Sequence, residues 1–215
     1  MEELFEKGQA IGLKYFIAPM EGIMNGEEAL EVASKLNQMA KKAAPYGITV
    51  GYHNHATEFW MAGRTTLEEI LIDNTDPEVI FQLDCGWATA AGTHCPSFIR
   101  RYSGRFAAIH VKENNKVLGP DKPVKMPDMR PGPDGEMSEE AKAALAEMMK
   151  TAGIKMQTQG KLGAENSNIN YVDIKNALLE QNIGEPLLVV EREYTYGGTR
   201  AECLAEDCAW LKENL

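Results

Sequence analysis

Five short apolar runs, each followed by a segment of helical periodicity, constrain this chain more than any other feature. They are KYFIAP (14–19), ITVGYHNH (48–55), VIFQLDCG (79–86), FAAIHVKE (106–113) and LLVVERE (187–193). Helix candidates lie between and after them. One covers 26–44, closed by Pro45 and Gly47; another covers 65–73, with Thr65 or Thr66 ahead of Glu68 and Glu69. Others are predicted over about 95–102, 138–152 with Ser138 as N-cap, 171–182 and 199–213, and residues 1–11 end a further helix. Strand alternating with helix is the pattern of βα units building a parallel sheet.

Four of the five runs close on ionisable groups: His53 and His55, Asp84, His110 and Glu191. In parallel α/β architectures the carboxyl ends of all strands open on one face, so residues far apart in sequence converge there. Two imidazoles and two carboxylates form a mixed nitrogen and oxygen ligand set suited to Mn, Zn, Fe, Co or Mg. Side chains alternate faces with period two, so His53 and His55 point the same way, as do Gln82 and Asp84, His110 and Lys112, and Glu191 and Glu193. Each pair offers one ligand and one substrate-facing partner. Taken singly, each residue also has a structural reading: a hydrogen-bonded histidine, an Asx turn at Asp84, a solvated charge at Glu191. Four such residues at successive strand ends argue jointly for a site. Lys112 suits an anionic or hydroxylated substrate, and Trp87 or Trp60 an apolar wall beside a sugar ring. Gly197-Gly198 lacks the spacing of a phosphate-binding loop.

Length and charge narrow the partners. A chain of 215 residues buries a proper core as one domain, 1–215. Its formal charge of −10, without basic clusters, repels nucleic acid and anionic membranes. Cys85, Cys95, Cys203 and Cys208 form no CxxC or zinc-knuckle pattern, the first residues show no charged n-region followed by an apolar h-region, and no run is long enough to span a membrane. Reduced thiols and a cytoplasmic location are expected. The stretch 113–137, dominated by Gly, Pro, Lys and Asp, is predicted to be a long loop over the carboxyl face of the sheet, where function collects.

The motifs YHNHATEF, FQLDCGW, AAIHVKE and LLVVERE, in that order, resemble the last four strands of the xylose isomerase-like (β/α)8 TIM barrels. These form the sugar phosphate isomerase/epimerase superfamily, which includes inosose dehydratases and ketose epimerases. The resemblance runs from KYFIAP, as a fourth strand, to the terminal helix, and is specific to the superfamily but not to a substrate. It implies a divalent metal held by Asp84, His110 and Glu191. A glutamate is usual where His53 stands, so either His53 ligates in its place or Glu58 reaches back. It also implies an incomplete barrel of about five βα units, strands four to eight. Its exposed edges would be completed by a homo-oligomer or a partner subunit.

The chemistry implied by the resemblance is metal-assisted proton transfer next to a carbonyl of a small-molecule sugar or cyclitol, with Glu191 or His55 as the base and Lys112, Glu58 and Trp87 binding substrate. Returning the proton to the other face gives epimerisation, to the next carbon isomerisation, and loss of a β-hydroxyl dehydration. Phosphodiester cleavage is disfavoured by the negative charge. A non-catalytic barrel subunit acting through a partner is the remaining alternative.

Overall fold

The computed structural model describes residues 2–19, 21–114, 119, 135–156, 160–192 and 194–215. The five apolar runs form five strands, β1 (Tyr15–Ala18), β2 (Thr49–His53), β5 (Ile80–Asp84), β6 (Phe106–Val111) and β7 (Leu187–Val190). All pair in parallel in the order β1-β2-β5-β6-β7. Two further strands, β3 (Met61–Ala62) and β4 (Thr65–Thr66), make a small antiparallel hairpin around Gly63.

The helices are α1 (Glu2–Ala10), α2 (Gly26–Ala43), α3 (Leu67–Asp73), α4 (Cys85–Ala90), α5 (Cys95–Arg101), α6 (Glu139–Met156), α7 (Tyr171–Glu180) and α8 (Arg200–Asn214). Their starts follow local capping chemistry. Asn25 caps α2 by accepting from the Glu28 N–H, and Thr66 and Thr199 open α3 and α8 with reciprocal capping boxes to Glu69 and Glu202. Against one face of the sheet they bury Val50, Tyr52, Phe81, Leu83, Ile109 and Val111, each at most 1% exposed. Burial of a large apolar side chain contributes roughly 1.5–3 kcal/mol, so this layer is a substantial part of the favourable side of folding.

Three corrections to the sequence-based boundaries share one cause. The strands were expected to run to 55, 86 and 113, but they stop at His53, Asp84 and Val111. At each end a polar contact takes over from the ladder. Asn54 Oδ1 accepts the Asp84 N–H at 2.9 Å, Asp84 Oδ1 accepts the Trp87 N–H at 2.8 Å and so starts α4, and the Tyr171 hydroxyl accepts the Lys112 N–H at 3.0 Å. Helix α4 and the hairpin had no periodic signal of their own. Most of the predicted loop, residues 115–118 and 120–134, lies outside the described residues, as does Glu193.

β1 and β7 are the two edges of the sheet, as expected for an open arc of a barrel. The central strands are mostly buried, whereas β1 is mostly half-buried and Leu187 of β7 is 47% exposed. Beyond β7, Arg192 forms a buried ion pair with Asp207 of α8 and donates to the Gly160 carbonyl at 2.9 Å. The terminal helix is thereby tied to the strand end that carries Glu191. Among the described residues, no helix is long and apolar enough to cross a membrane.

Candidate functional site

His53, Asp84, His110 and Glu191 come from the ends of β2, β5, β6 and β7, four neighbours in the sheet. Register brings them level: His53 pairs with Gln82, Asp84 with His110, and His110 with Val189. The cluster centres on Asp84 Oδ2. His110 Nδ1 lies 3.5 Å from it, His53 Nε2 3.9 Å and Lys112 Nζ 3.2 Å. Glu191 Oε2 closes the group, 3.4 Å from His110 Nε2 and 2.5 Å from Lys112 Nζ.

Each central group is held by neighbours. Gln82 Oε1 sits 3.0 Å from His53 Nδ1, so a neutral ring that keeps its proton there turns the Nε2 lone pair toward Asp84. Burial and the charges of His55, His110 and Lys112 push the His53 imidazole down to about 3, which keeps it neutral across the physiological range. Asp84 is fully buried; burial raises its carboxyl, with Lys112 and His110 pulling the other way. For Glu191 burial also works upward, but the hydrogen bond and charge of Lys112, with His110 and His55, carry it below the ordinary range. Gly86 lets Lys112 pack close, because a Cβ at that position would stand 2.8 Å from the Lys112 carbonyl oxygen.

The donor set fits a divalent metal. Donor atoms on bonds of about 2.1 Å sit roughly 3.0–3.4 Å apart at right or tetrahedral angles. Here one donor atom each from His53, Asp84 and His110 lie within 4.8 Å of one another, so modest tightening would close them on an ion. A neutral imidazole and a buried carboxylate are the protonation states that a metal needs.

The structure brings most, but not all, of the expected site residues together. The His55 ring is 4.9 Å from that of His53 and 5.8 Å from Trp87, and the Lys112 ammonium lies 5.6 Å from the Trp87 ring centre. Glu58 is not brought to the cluster, either as alternative ligand or as substrate contact. Its Oε1 accepts from the Tyr52 hydroxyl at 2.7 Å, and its Oε2 accepts from the His55 N–H and the Thr57 hydroxyl, both at 2.9 Å. Tyr52 alternates with His53, so this carboxylate is drawn to the helix side of the sheet, where it shapes the turn after β2. Trp60 is core, and His94 pairs with Ser97 at 2.8 Å.

Of three supporting residues, Gln82 was expected to face substrate and is found on His53 instead, and Asn54 and Tyr171 were not singled out from the sequence. Gln82 orients His53, Asn54 holds the Asp84 backbone, and Tyr171 both donates to the Lys112 carbonyl and accepts its N–H at 3.0 Å. Gln82 carried a usable signal, since it shares a face with Asp84. Asn54 and Tyr171 carried none.

Residues 1–214 match the family model described as Xylose isomerase-like TIM barrel. Over 94 residues the chain is 32% identical to the inosose dehydratase of Clostridium tetani (strain Massachusetts / E88), a match covering 42% of this chain and 30% of that protein. The crystal structure of a sugar phosphate isomerase/epimerase from Parabacteroides distasonis ATCC 8503 superposes with a TM-score of 0.64 at 22% identity, over 98% of this chain and 63% of that one. The crystal structure of an IOLI protein with a zinc atom superposes with a TM-score of 0.59 at 16% identity, over 99% of this chain and 66% of that one. This chain therefore spans somewhat less than two thirds of the length of those solved structures.

Proposed function

This chain belongs to the xylose isomerase-like TIM barrel family, and on that premise we propose that it is a divalent-metal-dependent enzyme of the sugar isomerase/epimerase type, moving a proton next to a carbonyl of a sugar or cyclitol. The observation that carries the proposal is the grouping of His53, Asp84 and His110 at the carboxyl ends of adjacent strands, one donor atom of each within 4.8 Å of the others, with Glu191 Oε2 beside the other nitrogen of the His110 ring. His53, Asp84, His110 and Glu191 would hold the metal. Bound there, it supplies Lewis-acid polarisation of the substrate carbonyl and its neighbouring hydroxyl.

The remaining roles fall to the side chains. Glu191 is half-buried and held as a carboxylate by Lys112, so it is available to take a proton from the carbon beside the carbonyl. His55, beside His53 and Trp87, is the second candidate base. Trp87 presents a ring face against which the apolar face of a sugar would lie, and Lys112 offers donors to substrate oxygens. Dehydration is the second reading, favoured by the 32% identity to an inosose dehydratase. The partly exposed edges β1 and β7 support association with a second copy of the chain, measured by light scattering as a mass above that of one chain.

The test is metal content by elemental mass spectrometry together with proton exchange. About one divalent ion per chain is expected in the wild type and none in Asp84→Ala or His110→Ala. Ketoses and inososes incubated in heavy water should gain deuterium at the carbon next to the carbonyl only with the loaded protein. Stoichiometric metal retained by both alanine variants would rule out this site.

A further inference from the structure

Lys112 is firmly anchored in the cluster. Tyr171 clamps its backbone at both the N–H and the carbonyl, its side chain is only 3% exposed, and Gly86 gives it room. Its ammonium reaches Asp84 Oδ2 at 3.2 Å and Glu191 Oε2 at 2.5 Å. These are the same two carboxylate oxygens that lie beside the histidine ligands. An ammonium and a divalent cation sharing them would stand within a few ångströms of each other in a low-dielectric site, where like charges repel strongly. The face of Trp87, 5.6 Å from the ammonium, offers an alternative berth for a displaced cation.

We propose that Lys112 competes with the divalent cation for Asp84 and Glu191, so that this lysine sets the metal affinity of the site and moves toward Trp87 when the metal enters. The proposal rests on the metal-site reading above. It makes Lys112 a positioning residue that keeps the buried Asp84 and half-buried Glu191 carboxylates in place by its charge. Removing that charge leaves Asp84 and Glu191 without their ammonium and therefore more demanding of a metal.

The test compares chelator-buffered Zn²⁺ and Mn²⁺ titrations of the wild type and Lys112→Met, with circular dichroism as the check on folding. The methionine variant should bind at least tenfold more tightly. Metal addition should change the tryptophan fluorescence of the wild type, and this change should be lost in Trp87→Phe. The fluorescence arm uses protein with Lys112 intact, so it decides the question even if Lys112→Met does not fold. Equal or weaker binding by the variant, or a wild-type fluorescence change that survives Trp87→Phe, would overturn the competition while leaving the metal site standing. Absence of binding by both proteins would remove the metal-site reading and this inference with it.

Discussion

Replacing Gln82 by leucine should weaken divalent-metal binding by about ten- to a hundredfold, the usual cost of losing the group that orients a ligating imidazole. Gln82 Oε1 lies 3.0 Å from His53 Nδ1, and His53 Nε2 lies 3.9 Å from Asp84 Oδ2. With the acceptor gone, the neutral ring no longer prefers to carry its proton on Nδ1, and the lone pair is no longer reserved for the metal. At about 1.4 kcal/mol per decade, the loss amounts to roughly 1.4–2.8 kcal/mol of binding. The stranded Nδ1 adds about 1–3 kcal/mol of lost stability, at roughly 2–4 °C of melting temperature per kcal/mol in a chain of this size. Chelator-buffered Zn²⁺ titration and thermal unfolding separate the two effects. Gln82→Glu, which keeps an acceptor in reach of Nδ1, should hold its affinity within a few-fold. A leucine variant that melts lower yet binds metal as the wild type does would refute the reasoning, because Gln82 would then serve the fold and not the ligand.

Two further outcomes follow from buried groups outside the cluster. Burial pushes the Glu113 carboxyl up to about 7, against hydrogen bonds from Ser167, Asn114 and Gly163 and the charge of Arg192. Its folded pKa thus stands above the ordinary 4.5, so the stability it contributes is full below about pH 4.5 and is lost as pH rises through 7. Glu113→Gln should accordingly be more stable than the wild type at pH 8, on the order of 2–3 kcal/mol, with the difference shrinking toward pH 5 in urea unfolding. Asp207→Ala strands the buried Arg192 guanidinium, which should cost about 3–5 kcal/mol in the same assay. The paired change Arg192→Met with Asp207→Leu should recover most of that loss.

Much of the architecture was legible in the chain because its signals are local. Thr66 with Glu69, and Pro45 with Gly47, mark helix boundaries within one turn, and they held. The five apolar runs became the five parallel strands, and the alternation rule placed His53 beside His55. Two short elements were missed because neither is long enough to show an apolar period. Helix α4 starts because Asp84 caps it, and the hairpin at 61–66 closes on a turn at Gly63 without any apolar period.

The sequence by itself determined which residue types stand at the strand ends, since period-two alternation and the run-helix rhythm follow from backbone geometry alone. Tertiary structure decided what those residues touch. Glu58 lies only five positions beyond His53, yet Tyr52 and the His55 N–H draw its carboxylate to the other side of the sheet. Gln82 became the partner of His53 because parallel register sets the two strands level, and Lys112 came between Asp84 and Glu191 because β6 lies between β5 and β7 in the sheet. Register and strand order arise from packing across the whole sheet, and no short stretch of sequence encodes them.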